Sequence, residues 1–121
     1  MGKTCNVRIR RIYEASSPQD GTRILVDRLW PRGVSKQAAQ IDEWLKAVAP
    51  SADLRRWYGH EPAKFSEFKQ RYANELRDSE REQAWQHLVN EAGKGPITLL
   101  TATKDLERSE AAVLAEWLTK A

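Results

Sequence analysis

Ile24-Leu25-Val26-Asp27-Arg28-Leu29-Trp30-Pro31-Arg32-Gly33 is the stretch whose reading decides the fold. Three consecutive apolar residues flanked by turn formers read as a central strand covered on both faces. The run stops at Asp27-Arg28, and Pro31 with Gly33 then forces a loop over residues 29 to 36. Proline lacks an amide donor, and glycine admits conformations that other residues avoid. Far downstream, Ile97-Thr98-Leu99-Leu100-Thr101 repeats the pattern after the Gly95-Pro96 break. Two buried strands separated by a helical excursion imply a parallel pair, because sheet twist favours one crossover sense.

Working outward, Val7 to Tyr13 begins with apolar and basic residues alternating, as in a strand with one wet face. Ser16, Ser17, Pro18 and Asp20-Gly21 make the turn that follows. Downstream of the loop, Ile41, Trp44, Leu45 and Val48 have the i, i+3, i+4, i+7 spacing of a helix ending at Pro50. Ser51 caps a short helical turn with Leu54, Trp57 and Tyr58 on one face and Gly59 at its exit. Pro62 opens a helix with Phe65, Phe68, Tyr72 and Leu76 inward. Ser79 and Glu82 have the spacing of a capping box for a helix that turns Trp85, Leu88, Val89 and Ala92 to the core and stops at Gly93. Val113, Leu114, Trp117 and Leu118 form the stripe of a last helix. The expected architecture is one α/β domain over residues 1–121, with a small, mostly parallel sheet of about three strands, order ββααααβα, covered by helices.

Composition bounds what such a chain does. Its 121 residues are 40% hydrophobic and 31% charged, enough apolar surface to build a core of its own. No apolar run approaches a membrane helix, and the first residues lack a signal-peptide stretch, so a soluble, unprocessed chain with no membrane partner is expected. Cys5 has no second cysteine to pair with and, with only His60 and His87 beside it, no zinc set; a reducing cytoplasm fits. The net charge is +3, but residues 1–36 hold eight basic and three acidic side chains, a local +5. That excess suits an anionic partner or simply a solvated basic strand. No P-loop, dinucleotide loop or serine elbow is present, and no cofactor is implied.

In open parallel sheets, ligands sit beyond the carboxyl ends of the strands. Here those ends are Asp27 to Gly33 and Thr101 to Asp105. Arg28 and Arg32 are candidates for bidentate recognition of a carboxylate or phosphate, with Lys104 as a point charge from the neighbouring strand. Arg28 has a structural alternative, in which it staples the loop to Asp27, Asp105 or a helix carbonyl. Trp30, between the two arginines, either covers a ligand or packs in the core. Ser51 and Arg55 in the first turn of their helix suit either a second half of the anion site or a plain cap. Asp27 and His60 are the candidate proton-transfer groups, although a loop histidine is often merely solvated. Asp27 with Asp105 also has the makings of a weak Mg²⁺ site against a phosphate; no metal is assigned. Cys5 is poorly placed for a nucleophile. A small anionic ligand is therefore the leading expectation, whether turned over or only bound. A nucleic-acid module using Arg8, Arg10 and Arg11, and an interaction domain without a ligand, are the alternatives.

Leu25 to Gly33, Ala49-Pro50-Ser51 with Leu54-Arg55, Gly59-His60, Phe68, Arg71-Tyr72, Glu75-Leu76, the Thr98-Leu99-Leu100 strand and Ala111-Val113-Leu114 together resemble the family called domain of unknown function 488, in its YeaO-like branch. The resemblance covers nearly the whole chain and implies a small bacterial cytosolic α/β protein; it brings no mechanism with it. Proteins of this type often carry a His-Asn pair before the last helix, where this chain has Arg108-Ser109.

Overall fold

A computed structural model describes residues 6–120; Cys5 lies outside that range. Four strands, β1 (Val7–Arg11), β2 (Thr22–Leu25), β3 (Glu43–Trp44) and β4 (Ile97–Thr101), form one sheet. Its spatial order is β1-β4-β2-β3 and every pairing is parallel. Ile24 lies opposite Leu99 and Leu25 opposite Leu100, so the two apolar runs are adjacent parallel strands as expected. Five α-helices complete the fold: α1 (Lys36–Ala39), α2 (Ala52–Tyr58), α3 (Phe65–Glu75), α4 (Ser79–Lys94) and α5 (Glu110–Lys120). The observed order is ββαβαααβα.

Strand alternation divides the core. Ile24, Val26, Ile97 and Leu99 point to the face covered by α2 to α5, where they meet Leu54, Phe68, Tyr72, Leu88 and Leu114. Leu25 and Leu100 point the other way, onto Ile12, Ala39, Trp30 and Trp44. Truncating a fully enclosed residue such as Leu88 or Leu99 to alanine costs about 2–5 kcal/mol in a site of this kind. Among the described residues α1 and the loop around it cover the second face, so the helices that cover the sheet stand mostly on one side of it.

The expected helix from Ile41 to Val48 is overturned. Residues 43–44 form β3, which continues the ladder beside β2, and residues 46–48 form a single 3₁₀ turn. The Asp42 amide donates to the Arg23 carbonyl, and the Leu45 amide to the Leu25 carbonyl. Ile41 and Trp44 pack on the α1 face while Leu45 and Val48 pack on the helical face, a division that one helical stripe cannot achieve. Gln40 ends α1 in the left-handed region with φ 49°. At α4 the cap is Asp78, whose carboxylate accepts from the Arg81 amide, rather than Ser79. That helix runs through Gly93 to Lys94.

Glycine is obligatory at position 21. Its φ is 63°, and a Cβ there would lie 2.1 Å from the Pro96 carbonyl oxygen. That same oxygen accepts the Thr22 amide and so starts the β2/β4 ladder. The turn before it is locked by Ser17 and Asp20, which cap each other's backbone.

Candidate functional site: a cationic crevice at the strand ends

Beyond the carboxyl ends of β2 and β4 lies a cavity of about 340 Å³ bordered by Arg28, Arg55, His60, Thr103, Arg108 and Glu110 on its polar side. A second hollow of about 460 Å³ adjoins it, shares Arg55, His60 and Thr103, and adds Asp27, Lys104 and Asp105. Of the residues expected at the site, Asp27, Arg28, Arg55, His60 and Lys104 therefore converge on this pair of cavities.

Each is positioned by a local device. Asp27 is the first residue after Val26, whose amide still donates to the Leu100 carbonyl. The Asp27 carboxylate accepts from the Thr101 hydroxyl at 2.7 Å and the Ala102 amide at 2.8 Å, and its carbonyl accepts from the Trp44 indole at 2.7 Å. It thus ties the two strand ends together. Ser51 caps α2 by accepting from the Leu54 amide, which sets Arg55 one turn along. Gly59 closes α2 at φ 54° and His60 follows at φ 57°. A non-glycine residue in that region is uncommon, and the turn carries the imidazole to the cavity rim. Tyr58 anchors the same corner, donating its hydroxyl to the Arg108 carbonyl at 2.9 Å and stacking on Phe68.

Three expected residues stand differently. Trp30 is half-buried in the core on the opposite sheet face: its indole donates to the Val34 carbonyl at 2.6 Å and its ring meets Trp44 edge-on. Arg32 is exposed on the far side of the loop, where its carbonyl accepts from the Tyr13 hydroxyl; it borders neither cavity. Ser51 gives its amide and hydroxyl to the Glu75 carboxylate besides capping α2, and it borders two other hollows behind that helix.

The distribution of ion pairs separates the arginines. Arg8, Arg10, Arg23, Arg56, Arg71, Arg81 and Arg108 each pair with a carboxylate. Among the described residues Arg28, Arg32, Arg55 and Arg77 pair with none and donate no side-chain hydrogen bond within the protein; of these four, Arg28 and Arg55 border the cavity. Arg28 is therefore not stapled to Asp27, to Asp105 or to a helix carbonyl. Asp105 is bound instead to Arg108 at 2.9 Å. Among the described residues no three His, Cys, Asp or Glu side chains gather as a metal set.

Glu110, the first residue of α5, was not picked out by the sequence reading, where it looks like an ordinary acidic opening residue. Its carboxyl lies against Asp27 and near the Thr101 hydroxyl. Burial, and then the Asp27 carboxylate beside it, push Glu110 well above the usual 4.5. Both causes favour the protonated form of Glu110. Tyr58, Thr103, Arg108 and Ser109 were also missed as cavity residues. The one signal pointing there was the Arg108-Ser109 departure, and both residues border the cavity. Ser109 is enclosed, donating to the Leu106 carbonyl and capping α5 through the Ala112 amide.

The basic first strand has another arrangement. Arg8 and Arg23 grip the buried Asp20, and Arg10 reaches Glu14. Arg11 donates to the Ala102 carbonyl and lies over Tyr13. His87, read as a plain helix residue, hydrogen-bonds Glu43 and so joins α4 to the edge strand β3.

Comparison with known proteins gives a consistent result. An uncharacterised protein of Mycobacterium tuberculosis H37Rv is 46% identical over 118 residues, covering 98% of each chain. YeaO of Escherichia coli K12, also described as uncharacterised, is 41% identical over 113 residues, covering 93% of this chain and 96% of its own. No solved structure matches. Residues 6–121 match the family model described as the inactive DUF488-N3 subclade, and the chain belongs to that DUF488 family.

Proposed function

We propose that the protein binds a small oxyanion, a carboxylate or phosphate, in the crevice at the ends of β2 and β4. Arg28 and Arg55 are its principal ligands, with His60 at the rim and Lys104 contributing from the adjoining hollow. The observation that carries this reading is the pair of guanidinium groups, without protein partners among the described residues, that border one cavity. A guanidinium fork left free of carboxylates, in a cleft, is arranged for an external one.

Binding is favoured over turnover. The Asp27 carboxylate beside Glu110 is already taken by Thr101 and Ala102, and the family description is itself "inactive". Asp27 and His60 stand as proton-transfer groups only if a reaction exists. A small anion is favoured over nucleic acid because the arginines of β1 are directed at Asp20, Glu14 and a backbone carbonyl. No described helix is long and apolar enough to cross a membrane, and the single cysteine suits a cytoplasmic setting.

Thermal unfolding in the presence of millimolar phosphate or acetate, at constant ionic strength, tests the proposal. Either anion is expected to raise the melting temperature of the native chain, and Arg28→Ala is expected to abolish the rise without lowering the baseline. A single charge-assisted contact of this type is worth about 1.5–3 kcal/mol. Absence of any shift in the native protein, or an undiminished shift in Arg28→Ala, would falsify the assignment. Duplex DNA binding that falls steeply with salt and depends on Arg8, Arg10 and Arg11 would favour the nucleic-acid reading instead.

A further inference from the structure

The cationic residues are one part of the cavity's lining. Leu29, Pro50, Ala52, Tyr58 and Phe68 also border it. Leu29 is 65% exposed, and among the described residues it and Tyr13 are the exposed large hydrophobic ones. It directly follows Arg28 on the rim, so an exposed apolar side chain and an unpaired guanidinium stand side by side over one opening. An inorganic phosphate displaces only about three waters' worth of space at ~30 Å³ each, which leaves most of the 340 Å³ unfilled. Cavities lined by apolar side chains with a few convergent polar groups bind molecules that have both kinds of surface.

We infer that the ligand is an amphipathic oxyanion: a carboxylate or phosphate ester carrying an aromatic ring or a compact alkyl group. Its charged end meets Arg28 and Arg55, and its apolar body covers Leu29 and enters the space between Pro50, Ala52 and the Tyr58–Phe68 stack. Leu29 is then a specificity residue, since burying it is possible only for a ligand with an apolar body. This inference rests on the oxyanion reading above and narrows it.

Isothermal titration of the full chain with four probes separates the two claims: inorganic phosphate, phenyl phosphate, acetate and benzoate, at fixed pH and ionic strength. The ring-bearing member of at least one pair is expected to bind about tenfold more tightly than its parent anion, and which pair does so distinguishes phosphate from carboxylate. In Leu29→Ser, whose exposed site leaves the fold unchanged by circular dichroism, that advantage should vanish while affinity for the parent anion stays the same. Ala52→Leu, which fills the apolar end, should likewise remove the ring's advantage. If the parent anions bind and the ring adds nothing, or if its advantage survives in both variants, this inference fails and the oxyanion reading stands. If none of the four probes binds, both fall.

Discussion

The Asp20 cluster and the Arg28 crevice are both rich in arginine, yet they do opposite things with it. Around Asp20, the carboxylate lies enclosed between Arg23 at 2.6 Å and Arg8 at 3.2 Å, and it also accepts the Ser17 amide. Arg23 completes its own bonding with the carbonyls of Ala39 and Gln40. Each of these arginines has an internal acceptor, and the result is a clamp between β1, β2 and the α1 loop. In the crevice, Arg28 and Arg55 have no acceptor, while the nearby acids are taken: Asp27 by Thr101 and Ala102, Asp105 by Arg108. Local charge density therefore does not locate a binding site. The informative quantity is how many cationic donors the fold leaves unused around one cavity.

Removing the clamp should have the largest effect. Asp20→Ala leaves the buried Arg23 guanidinium without its counter-charge, and we expect a loss of about 2–3 kcal/mol in chemical denaturation. Anion binding by the variant's folded fraction should persist. A neutral outcome would mean that the clamp is replaceable and the contrast between the two regions is one of degree. Protonation should mimic the substitution. Burial raises the Asp20 carboxyl, but the Ser17 amide and the Arg23 and Arg8 charges outweigh it and hold the group below its ordinary 3.8. The stability it provides is present above that value and is lost as pH falls through the lowered one.

Glu110 gives the opposite sign and an intermediate effect. Its folded value is raised, so between 4.5 and that value the native state holds more protons than the unfolded chain and stability declines as pH rises. Glu110→Gln should flatten this decline in urea titrations carried upward from the usual 4.5, and it should preserve anion binding above the raised value, where the native carboxyl ionises and repels the ligand. An unchanged slope would show that Glu110 is not the group being titrated. The smallest effect is expected from Arg10→Ala. Its contacts with Glu14 and Asp20 are long and partly exposed, so stability should move by no more than about 0.5 kcal/mol. Phosphate affinity should not move at all; a measurable fall would break the division between clamp and crevice.

What the sequence disclosed follows the same line between local and non-local causes. Ile24-Leu25-Val26 and Ile97 to Thr101 declare themselves because strands buried on both faces must be apolar throughout. Ser51, Gly59 and Pro62 declare helix ends because backbone groups there need particular partners. β3 was hidden: two residues carry no period, and the apolar positions around it imitate a helix while serving two faces of a sheet. The crevice was half legible. Arg28 and Lys104 follow from the rule that parallel strands open at their carboxyl ends. The separation of Arg28 from Arg32, the diversion of Trp30 to the opposite face, and the pairing of Glu110 with Asp27 all depend on contacts made across more than sixty positions or on the path of one loop, which spacing does not encode.

Strand β4 is the last to be made and yet stands between β1 and β2. Until residues 97–101 have left the ribosome, β1 has no neighbour in the sheet and β2 has only the two-residue β3. Contacts between positions about ninety residues apart carry a high closure cost and make for slow assembly. The nascent chain must therefore keep β1 unpaired until β4 has emerged, and the Asp27 carboxylate, held by Thr101 and Ala102, takes its final place in the same late step. Crevice and sheet are born together, so a chain without β4 has neither.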